Sequence, residues 1–139
     1  MFPLVIFDDL ELFLCGWYRA ALAARPEAVC QNVTVGIRES NAPRQVIIRD
    51  DGGFETSPWT GERSVGISVL AGTKEQPQDA VDLARIVHAL RSQIPSLVPG
   101  NPVTAVLSSN GPYAVQEAQP LARRYLTLTL AIAARQLNG

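Results

Sequence analysis

The stretch Glu62–Ile94 constrains the chain most, because it reads as a strand running directly into a helix. Over Glu62–Ala71, Val65, Ile67 and Val69 fall on one side, with Ser64, Gly66 and Ser68 on the other. That is the period of a half-buried strand. Gly72 breaks the alternation, and Thr73–Asp79 carries helix-start signals. Thr73 and Gln76 have capping-box spacing, while Pro77 also suits the first helical position behind a Gln76 cap. Ala80, Leu83, Ala84, Val87, Leu90 and Ile94 then recur at helical spacing. Such a helix is about 25 Å long, enough to cross roughly four or five strands spaced about 4.8 Å apart.

A second helix precedes this unit. Asp8 or Asp9 suits its N-cap and its dipole, and Pro26 stops it after Arg25. Its stripe is Leu10, Phe13, Leu14, Trp17, Ala21 and Ala24, widened by Tyr18 and Leu22. Phe2–Phe7 reads as an extended lead-in. Val33–Ile37 and Arg44–Asp50 alternate as two strands, and the turn Glu39–Pro43 between them predicts a hairpin. Asp51–Gly61 reads as a loop of about eleven residues, long for a compact domain. Val103–Leu107 and Tyr113–Ala118 read as a second hairpin around Asn110-Gly111. Leu121–Gln136 is the last strand, with Leu126, Leu128, Leu130 and Ile132 on its buried face and Tyr125, Thr127, Thr129 and Ala131 on the other. This is the longest clean alternation in the chain and belongs inside a sheet.

These elements predict an α+β fold: a single, mostly antiparallel or mixed β-sheet of about four to six strands packed against two helices. The 139 residues suit one domain, 1–139, large enough to hold a core without metal or disulfide staples. A net charge of −1 gives no polycationic case for binding nucleic acid or a membrane surface. The apolar start runs into Asp8-Asp9 without a basic leader or cleavage site, so a secretory signal is not expected. No apolar run approaches the roughly 20 residues of a membrane span. Cys15 and Cys30 are expected as two buried free thiols in a reducing compartment.

Chemistry-bearing constellations are sparse. The single histidine, His88, has Ala84, Arg85, Arg91 and Ser92 at helical spacing and no carboxylate or thiol among them, so it is expected to be structural. No set of ligands converges for a metal. Gly52-Gly53 and Gly111 match neither a phosphate loop nor a dinucleotide fingerprint, and no serine lies in a nucleophile elbow. The carboxylate pairs Asp8-Asp9 and Asp50-Asp51 suit caps and turns. No catalytic, cofactor-binding or metal residue is therefore assigned. The candidates that remain are for protein contacts: Phe54 and Trp59, large aromatics in the predicted loop, and Arg44 and Arg49, which with Arg63 are expected to line one region of the sheet.

The order of elements resembles the tail terminator proteins of long-tailed, siphovirus-like bacteriophages. The matching pieces are the acidic entry Asp8–Leu14 into a helix with Trp17; the hairpin of Val33–Ile37 and Arg44–Asp50; the strand Ser64–Ala71, with its Ala-Gly-Thr-Lys-Glu turn, leading into Asp79–Leu90; and the closing pair Val115–Glu117 and Arg124–Ala133. The resemblance lies in layout and covers most of the chain. It implies a virion structural protein of the neck, assembled in the host cytoplasm and not an enzyme, with no cofactor. It implies self-association into a ring, typically a hexamer, on the head-proximal end of the tail tube. That ring ends tube polymerisation and offers the joining surface for the head connector. Its partners are then itself, the tail tube protein and the head–tail connector, with DNA only as passing cargo. Phe54 and Trp59 become candidate contacts to a neighbouring subunit or to the tube, and exposed sheet-edge backbone can pair between subunits.

Two further readings stand beside it. One is another neck component, such as a head-closure or tail-completion protein. The other is a small α+β enzyme or ligand-binding module, which requires His88 to meet a carboxylate, Asp50 or Glu117, in a pocket.

Overall fold

The fold is described from a computed structural model covering residues 3–117 and 119–137. Helix α1 spans Leu10–Ala23. Asp9 caps it, its carboxylate accepting from the Leu12 amide at 3.0 Å. Helix α2 spans Gln78–Leu90 and tightens into a 3₁₀ turn over Arg91–Gln93. Its start falls one residue beyond Pro77, with no side-chain cap. The capping-box residues act upstream: Thr73 and Gln76 exchange backbone hydrogen bonds at 3.2 Å, and the Thr73 hydroxyl accepts from the Gln76 amide at 3.1 Å. Gly72, at φ +64°, makes that reversal.

The described residues also form seven strands: β1 (Val5–Ile6), β2 (Thr34–Gly36), β3 (Gln45–Ser57), β4 (Thr60–Ala71), β5 (Val103–Val115), β6 (Ala122–Ala133) and β7 (Arg135–Gln136). Five form the main sheet in the order β2-β3-β4-β6-β5, and β1 pairs with β7 in a separate ribbon. The architecture is α+β, with a mixed sheet against two helices, as the sequence predicts. The strand alternation decides which face is covered. Val46 opposes Val69, Ile48 opposes Ile67, and Val65 opposes Leu128; all six are fully buried. Helix α1 lies over β2 and β3, and α2 over β4, β6 and β5. Leu126, Leu128, Leu130 and Ile132 face them from β6. Their burial supplies the main driving force, roughly 1.5–3 kcal/mol for each large apolar side chain.

Four local expectations are corrected. The strands around residues 33–37 and 44–50 pair in parallel, Thr34 with Gln45 and Gly36 with Ile47, not as a hairpin. Because β2 is only three residues long, the connector at 37–44 is enough to return to its start. The buried Gln45 side chain secures that return: its amide nitrogen donates to Ser40 and Ala42 carbonyls at 2.9 and 2.8 Å, and its oxygen accepts from the Ser40 amide at 2.8 Å. Second, the expected loop Asp51–Gly61 is strand. The β3–β4 hairpin continues to a tight turn at Pro58-Trp59, through a register shift at Asp50/Gly52. The glycines that suggest a loop instead admit a close backbone approach, since a Cβ on Gly53 would lie 1.8 Å from the Glu62 carbonyl oxygen. Third, residues 103–115 make one irregular strand and not a hairpin, because β6 offers a partner along its whole length, from Ile132 to Arg123. Gly111, at φ +90°, marks one of its irregularities and not a reversal. Ala118, at the end of the expected return strand, lies outside the described residues. Fourth, the last strand is regular only to Ala133. Past Ala134, β7 leaves the sheet to pair with β1, with Arg135 Nε donating to Asp8 at 2.7 Å. The expected lead-in accordingly pairs over Val5–Ile6, while Phe2 lies outside the described residues.

Candidate interaction surfaces

The two ends of the sheet differ chemically. At one end lie the β3–β4 turn, the start of β5 and the end of β6, tied by bonds from the Ala134 amide to the Trp59 carbonyl (2.7 Å) and from Ala133 to Pro102 (2.9 Å). This end gathers exposed Phe54 (62%), Trp59 (41%), Leu97, Val98, Leu4 and Leu137. The turn itself is stiffened by hydroxyls, Thr56 and Ser57 each bonding Thr60 at 2.7 Å. The opposite end is polar. There Arg123 bridges Glu117 and Glu39, and Lys74 reaches the Glu117 carbonyl. Burial lowers the affinity of the Arg123 site for charge, but the bonds to Glu117 and Glu39 prevail and hold the guanidinium more firmly protonated than usual.

The candidate contacts chosen from sequence separate. Phe54 opposes Glu62, whose side of β4 is the face away from the helices, while Trp59 occupies the turn. Arg49 opposes Gly66 on that same open face. Arg63 has the parity of Val65 and so takes the helix side. Arg44 is committed within the chain, donating to the carbonyls of Ala28 and Gln31 at 3.1 and 3.0 Å. The three arginines therefore do not line one region. Arg44 anchors the 3₁₀ turn Ala28–Cys30 and is a structural residue, whereas Arg49 is exposed.

The open face has a distinct centre. Small side chains, Ser64, Gly66, Ser68, Thr127 and Thr129, leave it low, and Tyr125 lies across Gly66. Tyr113 meets Tyr125 edge-on, with ring centroids 5.8 Å apart. Burial, with the Asp51 carboxylate next, pushes the Tyr125 phenol upward.

His88 bonds Ser109 and Arg91. Arg91 donates to His88 Nδ1 at 3.2 Å, so the remaining ring proton lies on Nε2, which donates to Ser109 Oγ at 3.1 Å. A ring held in that tautomer is not placed to take the serine proton. Burial, then Arg91, depresses its basicity. The two carboxylates that a pocket with His88 would require are engaged elsewhere: Asp50 accepts from the Gly52 amide at 2.8 Å, and Glu117 holds Arg123. Among the described residues no group of three or more His, Cys, Asp or Glu is placed to hold a metal, and no helix is long and apolar enough to cross a membrane. Cys15 and Cys30 are free and buried; burial raises both thiols and keeps them protonated.

Searches of protein-family models and of curated proteins return no match to this chain. The surfaces must be read from their own chemistry. Sequence pattern missed the Leu97-Val98 loop and the Arg123 bridge. Leu97 is apolar but lies in a proline-rich loop with no periodicity to score, and Arg123 meets Glu39 from 84 positions away.

Proposed function

We propose that this protein is a tail terminator of a long-tailed bacteriophage. It forms a ring on the head-proximal end of the tail tube, stops the tube growing and offers the connector a surface to join. The observation that carries the reading is the contrast between the two ends of the sheet, taken with the layout resemblance of the sequence. A terminator has to present unlike surfaces in opposite directions, one to the tube and one to the connector. In this reading the Phe54–Trp59 end meets the tube, where large aromatic side chains on a stiff turn provide anchors of the kind that dominate interfaces. The ion-paired end around Arg123 meets the connector. Growth stops because that end does not reproduce the surface that the tube presents.

The test is to add the purified protein to tail tubes assembled from tube protein and to image them by negative stain. Rings at one end of each tube, and tubes that no longer elongate, are the expected result. Tubes that stay bare and keep growing would remove the terminator reading and leave another neck role.

A further inference from the structure

At the polar end of the sheet a cavity of about 120 Å³ lies between Lys74 and Pro77, in the turn before α2, and Ala114, Gln116 and Arg124, on or beside the paired ends of β5 and β6. Ala114 pairs with Arg124. Arg124 has the parity of Leu126 and Leu128 and opposes the buried Val69, so its half-buried side chain belongs to the helix-covered face. At about 30 Å³ for each water, the cavity has room for about four. That suits an oxyanion of phosphate size and is well below the roughly 300 Å³ at which clefts for larger organic ligands begin.

The charge of this cavity is one-sided. No Asp or Glu lines it. Glu117 and Glu39 both hold Arg123, which also borders the cavity and is thereby answered twice. Asp79 lies 3.9 Å from Arg44, and Glu75 is exposed and lines no part of the cavity. Lys74 reaches the carbonyl of Glu117, a bond that positions the ammonium without neutralising it. Arg124 forms no ion pair among the described residues. Two cations without a carboxylate of their own therefore share one small, half-enclosed space, where their repulsion is less screened than in bulk water. A dianion answers both at once, whereas a carboxylate would leave one over. The arginine fork matches two oxygens of a phosphoryl group, the lysine supplies a point charge, and Gln116 offers a neutral amide donor.

We propose that this cavity binds a phosphate or sulfate dianion between Lys74 and Arg124. The occupant ties the turn before α2 to the ends of β5 and β6 and stabilises the fold by mass action. The group arrives as a free ion or as the terminal phosphoryl of a phosphomonoester whose remainder stays outside. The site does not depend on the ring reading: tube capping and ion binding can each fail alone.

Titration of inorganic phosphate into isotope-labelled protein, followed by NMR at about pH 8 where the ion is doubly charged, tests it. Sodium chloride holds the ionic strength constant. Saturable shifts confined to residues 74–77, 114–116 and 122–124 are expected, with a Kd of about a millimolar or less and a higher Tm in phosphate than in chloride. Lys74→Gln and Arg124→Gln should each weaken binding by on the order of tenfold. Arg85→Gln, on α2 but outside the cavity, should leave it unchanged. Circular dichroism checks each fold, and Lys74 is exposed, so its variant serves even where Arg124→Gln is unfolded. Glycerol phosphate, run beside the inorganic ion, separates the sources: comparable binding supports a carried group, and binding of the inorganic ion alone supports a free one. Shifts that do not saturate by about 10 mM phosphate, or that scatter over the surface, would overturn the site. So would an affinity that Lys74→Gln leaves intact or that Arg85→Gln lowers equally.

Discussion

The Tyr18 hydroxyl donates a 3.0 Å hydrogen bond to the Val87 carbonyl, joining α1 to α2 across 69 positions of the chain. Tyr18 is fully buried and stacks edge-on against Trp17 with centroids 5.0 Å apart. Removing only the hydroxyl, by Tyr18→Phe, should cost about 1 kcal/mol and lower Tm by roughly 3–5 °C, with the fold retained.

The same residue predicts a pH dependence. Burial, opposed in part by Arg91, pushes the Tyr18 phenol well above its usual range. The folded state therefore keeps a proton that the unfolded chain releases above about pH 10. The stability that this provides is whole below that pH and is lost as pH rises beyond it. Urea unfolding at pH 8 and pH 10.5 should show wild type losing stability and Tyr18→Phe losing less. Cys15, Cys30 and Tyr125, all raised by burial, account for a residual slope common to both proteins. Equal losses in both proteins would mean that Tyr18 is not sequestered.

Two glycines on the β3–β4 hairpin should respond differently to alanine. A Cβ on Gly53 would meet backbone, the Glu62 carbonyl oxygen at 1.8 Å, so strand pairing must open. A Cβ on Gly66 would meet the Tyr125 hydroxyl at 2.3 Å, the free end of a side chain that can swing toward solvent. Gly53→Ala is expected to cost more than about 2 kcal/mol and Gly66→Ala less than that. Chemical denaturation of both variants gives the ranking, and the reverse order would contradict the hairpin register.

Leu128→Asp tests the facing of β6. Leu128 is fully buried opposite Val65, and a carboxylate there has no partner. A cost above about 4 kcal/mol is expected, enough to unfold much of the population. A folded variant with wild-type circular dichroism would show that the covered face of β6 had been assigned to the wrong side.

Where the sequence was legible, one physical rule acted alone. The helices carry their own period: Asp9 caps α1 as expected, and the predicted α2 stripe is buried throughout, although α2 has no side-chain cap. The alternation in β4 and β6 likewise names its covered face without reference to neighbours. Legibility failed where pairing with a distant strand overrode a local signal. Gly52-Gly53 and Asn110-Gly111 are turn sequences, yet both lie within strands because β4 and β6 hold them along their length. The parallel pairing of β2 depends on the buried Gln45 side chain, whose hydrogen bonds to the 40–42 backbone no periodicity encodes. The candidate contacts divide in the same way. Phe54 and Trp59 are exposed, but Arg44 is spent on the carbonyls of Ala28 and Gln31, a use that becomes visible only when the chain is folded.

Phe54→Ala with Trp59→Ala separates folding from capping. Phe54 is largely exposed and Trp59 partly so, and both lie on a hairpin end tied by the hydroxyls of Thr56, Ser57 and Thr60 and by the Ala134–Trp59 backbone bond. The double variant should therefore unfold within about 1 kcal/mol of wild type. If the aromatic end meets the tube, loss of two anchors should weaken tube binding by on the order of a hundredfold while leaving self-association intact. Tube pelleting and sedimentation, run on one preparation, read the two effects separately. A double variant that still caps tubes would remove this end from the tube contact. One that caps normally but no longer oligomerises would place Phe54 and Trp59 between subunits instead.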